Sequence, residues 1–183
     1  MSYTTQNDLL LNNLKEFYKN ETYLDTMVKV ITGESKISLR IVDWFATNYS
    51  KKFFTLYSFV NKMGNTERFK VYVDYKLKLK AYSKRRFDPF CRWERIRIPY
   101  KSSSFIETTI GQLNFFKWTL ENKVIDYIND NYDIIEKDMN QRNTTSHKSY
   151  TDVLNKTRKK REEISISATK SIKKEVVEVV LTF

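Results

Sequence analysis

From Phe69 to Tyr82 the side chains alternate in character, and no other pattern in the chain restricts its backbone as much. Phe69, Val71, Val73, Tyr75, Leu77, Leu79 and Ala81 hold one set of alternate positions. Lys70, Tyr72, Asp74, Lys76, Lys78, Lys80 and Tyr82 hold the other. On a strand the two sets face opposite sides, whereas a helix scatters the lysines around its circumference. The period of two therefore predicts a long basic strand. A second strand is expected from Trp93 to Tyr100, with Ile96, Ile98 and Tyr100 on one face and Arg95 and Arg97 on the other. Between Arg68 and Lys101, twelve Lys and Arg stand against Asp74, Asp88 and Glu94, so nine of the eleven net positive charges lie in this stretch.

The flanking sequence supplies partners for such strands. Three Gly and two Pro in 183 residues leave few sharp turns and favour long regular elements. Thr5 with Asp8 forms a capping box for a first helix through Leu10, Leu14 and Phe17. Asn20 caps a second, carrying Leu24, Met27, Val28 and Ile31 and ending at Gly33. Ser35 starts a third, with Ile37, Ile41, Trp44 and Phe45 at helical spacing. Phe53–Val60 reads as a strand, and a loop tightest at Gly64-Asn65 leads into the basic strand. With Trp93–Tyr100 this makes a three-stranded antiparallel meander, apolar on one face and cationic on the other.

Thr109 and Gln112 form another capping box, opening one long helix over 110–139. Its stripe of Ile110, Leu113, Phe116, Leu120, Val124 and Ile128 suits the apolar face of the sheet, and its far end is acidic (Asp126, Asp130, Asp133, Glu136, Asp138). Residues 140–161 read as a polar linker ending in the basic cluster Arg158, Lys159, Lys160 and Arg161. Residues 162–183 read as a C-terminal hairpin extending the sheet. The expected fold class is α+β in a single domain over 1–183. It comprises a helical layer (1–50), a mostly antiparallel sheet with its long helix (53–139), the linker and the hairpin.

The blocks SLRIVDWFATNYSKK, VYVDYKLKLKAYSKRRFDPFCRWERI, ETTIGQLNFFKWTLENKVIDYI and EISISATKSIKKE together resemble an uncharacterised family of proteins from the nucleocytoplasmic large DNA viruses, the giant viruses. They span most of Ser38 to Glu175. The resemblance implies a viral protein of an infected eukaryotic cell, working close to the genome or the particle. It carries over no site residue.

Charge and chemistry narrow the function further. A pI near 9.6 favours a polyanionic partner, nucleic acid before anionic membrane. No apolar run approaches the roughly 18–20 residues of a membrane span, so an intracellular protein without a membrane partner is expected, in the host cytoplasm at the viral factory, in the nucleus or in the virion. The one histidine, His147, falls in the polar stretch, away from any nucleophile it could serve as base. Cys91 has Arg92 and Arg95 nearby but no partner base, and reads as a quiet thiol. Neither GxxxxGK[ST] nor GxGxxG occurs. Asp74-Tyr75-Lys76 matches the D-x-K half-motif of metal-dependent nucleases, in which an acid and a lysine share one strand face, but a second acid is missing beside it; Asp43 lies on a different element.

The expected function is non-enzymatic nucleic-acid binding without cofactor. Lys70, Lys76, Lys78, Lys80, Lys84, Arg85, Arg86, Arg95 and Arg97 would neutralise phosphates, and Tyr72 and Tyr82 would stack on unpaired bases. The cluster Arg158–Arg161 is a secondary contact. The competing class is a virion structural or assembly protein whose basic face meets acidic viral proteins.

Overall fold

The computed structural model describes residues 5–61, 63–101, 104–148 and 173–176. The fold is mixed α+β, with helices predominating over two small antiparallel sheets. At its centre is α6 (Ile110–Glu121), buried from Ile110 to Thr119 except at Lys117. A helix buried on nearly every side must be surrounded, and α1, α2, α5, α7 and β4 pack against this one. Phe115 and Phe116 are fully buried on it, among Phe87, Leu14 and Ile106.

The N-terminal layer forms as its caps dictate. The Thr5 hydroxyl accepts from the Asp8 N–H while the Asp8 carboxylate accepts from the Thr5 N–H, opening α1 (Gln6–Phe17). The Asn20 side chain caps α2 (Glu21–Thr32), which ends at Gly33 in the left-handed region, φ 78°. Ser35 instead makes a turn, its hydroxyl accepting from the Ile37 N–H, and Ser38 is the cap of α3 (Leu39–Trp44). α3 widens into a π turn (Phe45–Tyr49) and closes in the short α4 (Ser50–Lys52).

The basic stretch departs from the expected strand. Leu56–Val60 (β1) and Thr66–Lys70 (β2) form a two-stranded hairpin, with Gly64 at φ 81° in its loop. From Val71 the chain is helical: α5 runs Val71–Arg86, broken at Ser83 (φ 65°, ψ 162°). Lys, Leu, Ala and Tyr without Gly or Pro suit a helix at least as well as a strand. Its inner seam is Val71, Tyr75, Leu79 and Tyr82, at helical spacing, and it packs on α6. Half of the apolar alternation was coincidence, since Val73 and Leu77 point to solvent. The expected meander of Phe53–Val60, the basic strand and Trp93–Tyr100 is therefore replaced by the β1–β2 hairpin and a separate sheet. That sheet has the order β3-β4-β5, from Arg95–Tyr100, Ser104–Thr109 and Lys173–Val176. β3 stands close to its expected bounds, and Ile98 pairs with Ile106 of β4 in the core.

The single helix expected over 110–139 is three. Asn122 and Lys123 (φ 56°) separate α6 from α7 (Val124–Asp130), and Asn131 separates α7 from α8 (Tyr132–Lys148). Both asparagines turn their side-chain amides back onto the carbonyl four residues earlier, Trp118 and Tyr127, which terminates each helix. α8 continues through residues 140–148, so the first part of the expected linker is helix and carries His147. The cluster Arg158–Arg161 and the first arm of the expected C-terminal hairpin lie outside the described residues; β5 pairs antiparallel with β4. Of the acidic helix end, Asp138 is buried and docks on Lys52 and on the Trp44 indole N–H.

Candidate nucleic-acid interface

The helix sorts the expected site residues onto different sides. At about 100° per residue, Lys76 and Lys78 lie roughly 200° apart. Lys76 and Lys80 are exposed on the outer face, flanking Val73 and Leu77. Lys78 and Tyr82 turn inward, half-buried, into a polar hollow shared with Asp74. Tyr72 is half-buried with the Lys51 ammonium 5.8 Å from its ring centre, and the Tyr82 ring lies against Phe87. Neither tyrosine offers a free face of the kind expected from a strand. Lys70 is exposed at the end of β2.

Asp74 and Lys76 likewise do not share a face. The Asp74 carboxylate accepts from the Trp118 indole N–H at 2.6 Å, and Lys76 points outward, so the strand geometry behind the D-x-K half-motif does not exist. Among the described residues no group of three or more His, Cys, Asp or Glu could hold a metal ion.

The segment following Ser83 is where cationic groups converge on a fixed backbone. The N-terminal turn of α6 holds it by its carbonyls. Gln112 donates to the Pro89 carbonyl, Thr109 to that of Cys91, and Asn114 to that of Arg86. The Cys91 thiol donates to the Arg85 carbonyl. Gly111 lets the two segments meet: a Cβ there would stand 2.9 Å from the Cys91 Cβ and 3.0 Å from the carbonyls of Arg85 and Asp88. Asp88 accepts from the Phe90 N–H and tightens the turn.

On this clamped loop Lys84, Arg85, Arg92 and Trp93 project around a hollow of about 600 Å³. Trp93 is 67 % exposed, and the Arg85 guanidinium lies 5.1 Å from its ring centre. The countercharges are loose: Lys84 is 3.9 Å from Asp88 and Arg85 is 3.7 Å from Glu94. Arg86 turns toward α1, its guanidinium 3.4 Å from the Gln6 amide oxygen. On β3, Arg95 is held at 2.6 Å by Glu107, which stands opposite Arg97 in the register, so this face is partly neutralised. Sequence reasoning missed Trp93, Arg92 and Lys51. The available signal was a tryptophan between two arginines in the most basic stretch.

Behind the loop lies Asp43 on α3. Burial, reinforced by the negative charge of Asp88 and opposed by Lys84, pushes its carboxyl up to about 6. Among the described residues this carboxyl has no hydrogen bond or ion pair.

The larger hollow, about 620 Å³ between α1, α2 and β3, is mainly apolar, and its central polar groups are already matched. Tyr18 donates to the Leu113 carbonyl, and Tyr100 donates to Asp25, which also pairs with Lys29.

Residues 2–179 match the model of a family of unknown function, DUF7197. The chain belongs to that family. It is 43 % identical over 145 residues to the uncharacterized protein L507 of Acanthamoeba polyphaga mimivirus, covering 76 % of this chain and 56 % of that protein. The chain thus spans little more than half the length of this relative, and the expected resemblance to a giant-virus family holds. No solved structure matches it. Among the described residues of this DUF7197 member, no helix is long and apolar enough to cross a membrane.

Proposed function

We propose that this DUF7197 protein is a non-enzymatic viral nucleic-acid-binding protein, with unpaired strands as its preferred ligand and little sequence preference. It would act in the cytoplasm or nucleus of the infected cell. The observation that carries the reading is Trp93, an exposed indole on a loop clamped by α6, with Arg85 across its face and Lys84 and Arg92 beside it. A base stacked on an aromatic ring contributes roughly 1–3 kcal/mol whatever its identity, and the surrounding cations follow the backbone. Lys76 and Lys80 extend the cationic track along the outer face of α5.

Fluorescence anisotropy with a labelled single strand tests this reading. About four phosphate contacts predict a log–log salt slope near −3 at roughly −0.7 per phosphate, and a steeper slope near −4 on duplex. Trp93→Ala should weaken single-strand binding by roughly five- to a hundredfold, the equivalent of one lost stack. Absence of binding at low salt, or binding indifferent to salt, removes the proposal.

A second reading has its own support. Phe54 is 88 % exposed, and Val73 and Leu77 stand among the outer lysines of α5, which is the mixed apolar and cationic surface that an acidic protein partner would cover. Under that reading the protein is a virion structural or assembly component.

A further inference from the structure

The inner side of α5 borders a hollow of about 260 Å³ against α1 and α6, apart from the exposed loop. Its polar groups carry an unspent set of hydrogen-bonding positions. Asp74 uses Oδ1 on the Trp118 indole N–H, and among the described residues no donor reaches its other oxygen. Asn122 spends its amide N–H on the Trp118 carbonyl, and Asn114 spends its own on that of Arg86, so each has its Oδ1 left to accept. Lys78 stands one turn beyond Asp74 yet makes no ion pair or hydrogen bond among the described residues, although it is half-buried. Lys117, in contrast, is committed to Asn13 at 2.8 Å. Tyr82 and Trp118 border the hollow, whose open surface is mainly polar.

Three acceptors and one free ammonium around a small polar hollow suit a compact ligand that donates through an amine and accepts at a ring carbonyl or nitrogen. The Asp74 and Glu121 carboxylates in the lining argue against a phosphate inside. The volume lies below the roughly 300–1,000 Å³ of drug-sized sites, so a base fits while its sugar and phosphate remain outside. We propose that this hollow receives a single nucleobase bearing an exocyclic amine, an inference that rests on the reading of the protein as a nucleic-acid binder. The amine donates to Asp74 and Asn122, and Lys78 donates to the ring carbonyl or nitrogen beside it.

The Trp118 indole N–H, bonded to Asp74, reports on the site directly by ¹H–¹⁵N NMR, its signal assigned with Trp44→Phe and Trp93→Phe samples. Cytidine or adenosine monophosphate should shift it saturably, and uridine monophosphate should bind at least about fivefold more weakly, the equivalent of one hydrogen bond. Lys78→Met should weaken the cytidine or adenosine titration by a similar factor. No shift with any nucleotide up to about 10 mM, a preference below fivefold, an equal shift with inorganic phosphate, or indifference to Lys78→Met overturns the proposal. An oligomer of thymidine, whose base has no amine, reads the exposed loop alone. If it binds while Trp118 stays silent to mononucleotides, the hollow is refuted and the loop stands; if it does not bind while cytidine shifts Trp118, the reverse holds.

Discussion

Replacing Asp43 with Asn should stabilise the protein at neutral pH and leave it unchanged in acid. The carboxyl is pushed up to about 6 from 3.8, first by burial, then by the charge of Asp88, with Lys84 opposing. The folded state therefore holds this proton more tightly than the unfolded chain does. Below the unfolded value both states are protonated, and the group costs nothing. As pH rises through the interval, the folded state resists ionisation, and stability falls until the folded value is passed. At about 1.36 kcal/mol per pKa unit the full penalty approaches 3 kcal/mol above pH 7. Asn keeps the shape of the protonated acid and leaves the Asp43 carbonyl, which accepts from the Thr47 hydroxyl, in place. Denaturant unfolding of both proteins from pH 4 to 8 measures the difference, which cancels the titration of other carboxylates. The expected gain is about 0.5 kcal/mol at pH 4 and up to about 3 kcal/mol at pH 7.5, where it is worth roughly 6–12 °C in Tm. A difference that does not change with pH, or a variant less stable at pH 7.5, would refute the reasoning.

The helical assignment of α5 makes Leu77→Glu tolerable: at 60 % exposure it should cost under about 0.5 kcal/mol in a thermal melt, whereas Phe115→Ala in the centre of α6 should cost about 3–5 kcal/mol. Lys52→Ala strips Asp138 of its ammonium and leaves a buried carboxylate with only the Trp44 N–H, at a cost of about 1–2 kcal/mol after allowance for the half-exposed lysine. That cost should shrink in acid, where Asp138 is protonated; its carboxyl lies below the usual range because hydrogen bonds from Lys52 and Trp44 outweigh the opposing effect of burial. Ser83→Gly should stabilise by about 1 kcal/mol, since φ 65° with ψ 162° is a conformation that suits glycine, and a melt showing destabilisation would argue against strain at that residue.

Local chemistry was legible wherever a short stretch decided the outcome. Thr5, Asn20 and Thr109 cap the helices expected of them, and Gly33 and Gly64 take the positive φ that their turns require. The basic stretch was misread because alternation tests only whether neighbours differ, not where they are buried. On α5 the outer face mixes Lys76 and Lys80 with Val73 and Leu77, so the polar side of the helix is not polar in sequence. The buried seam from Val71 through Tyr75 to Tyr82 was the better guide, and its spacings of four and seven belong to a helix. β4 was passed over because Thr109 had been spent on a cap, although Ile106 and Thr108 already show one buried face. The asparagine breaks at Asn122 and Asn131 were visible as residue types but not as terminators, since only the packing of α7 and α8 decides whether the helix continues.

The candidate interface was harder to read, because its decisive property is rigidity supplied from a distance. Nothing between Lys84 and Trp93 says that the loop is fixed. The hydrogen bonds that fix it come from Thr109, Gln112 and Asn114, 18 to 28 residues further along the chain. The same clamp changes what the charge can do. On the expected sheet, Lys70, Lys76, Lys78, Lys80, Arg95 and Arg97 would have shared one face, with Lys84, Arg85 and Arg86 on the adjoining loop. On the observed backbone Lys78 is turned inward, Arg86 lies toward α1 and Arg95 is paired with Glu107, leaving a shorter track from Lys76 and Lys80 to Lys84, Arg85 and Arg92. Fewer cations mean fewer counterions displaced, so under the proposed nucleic-acid reading the affinity would come more from the aromatic surface than from charge. That is why Trp93→Ala separates the nucleic-acid reading from the assembly reading: a partner protein held by Phe54, Val73 and Leu77 would not register the change, and an unpaired strand would.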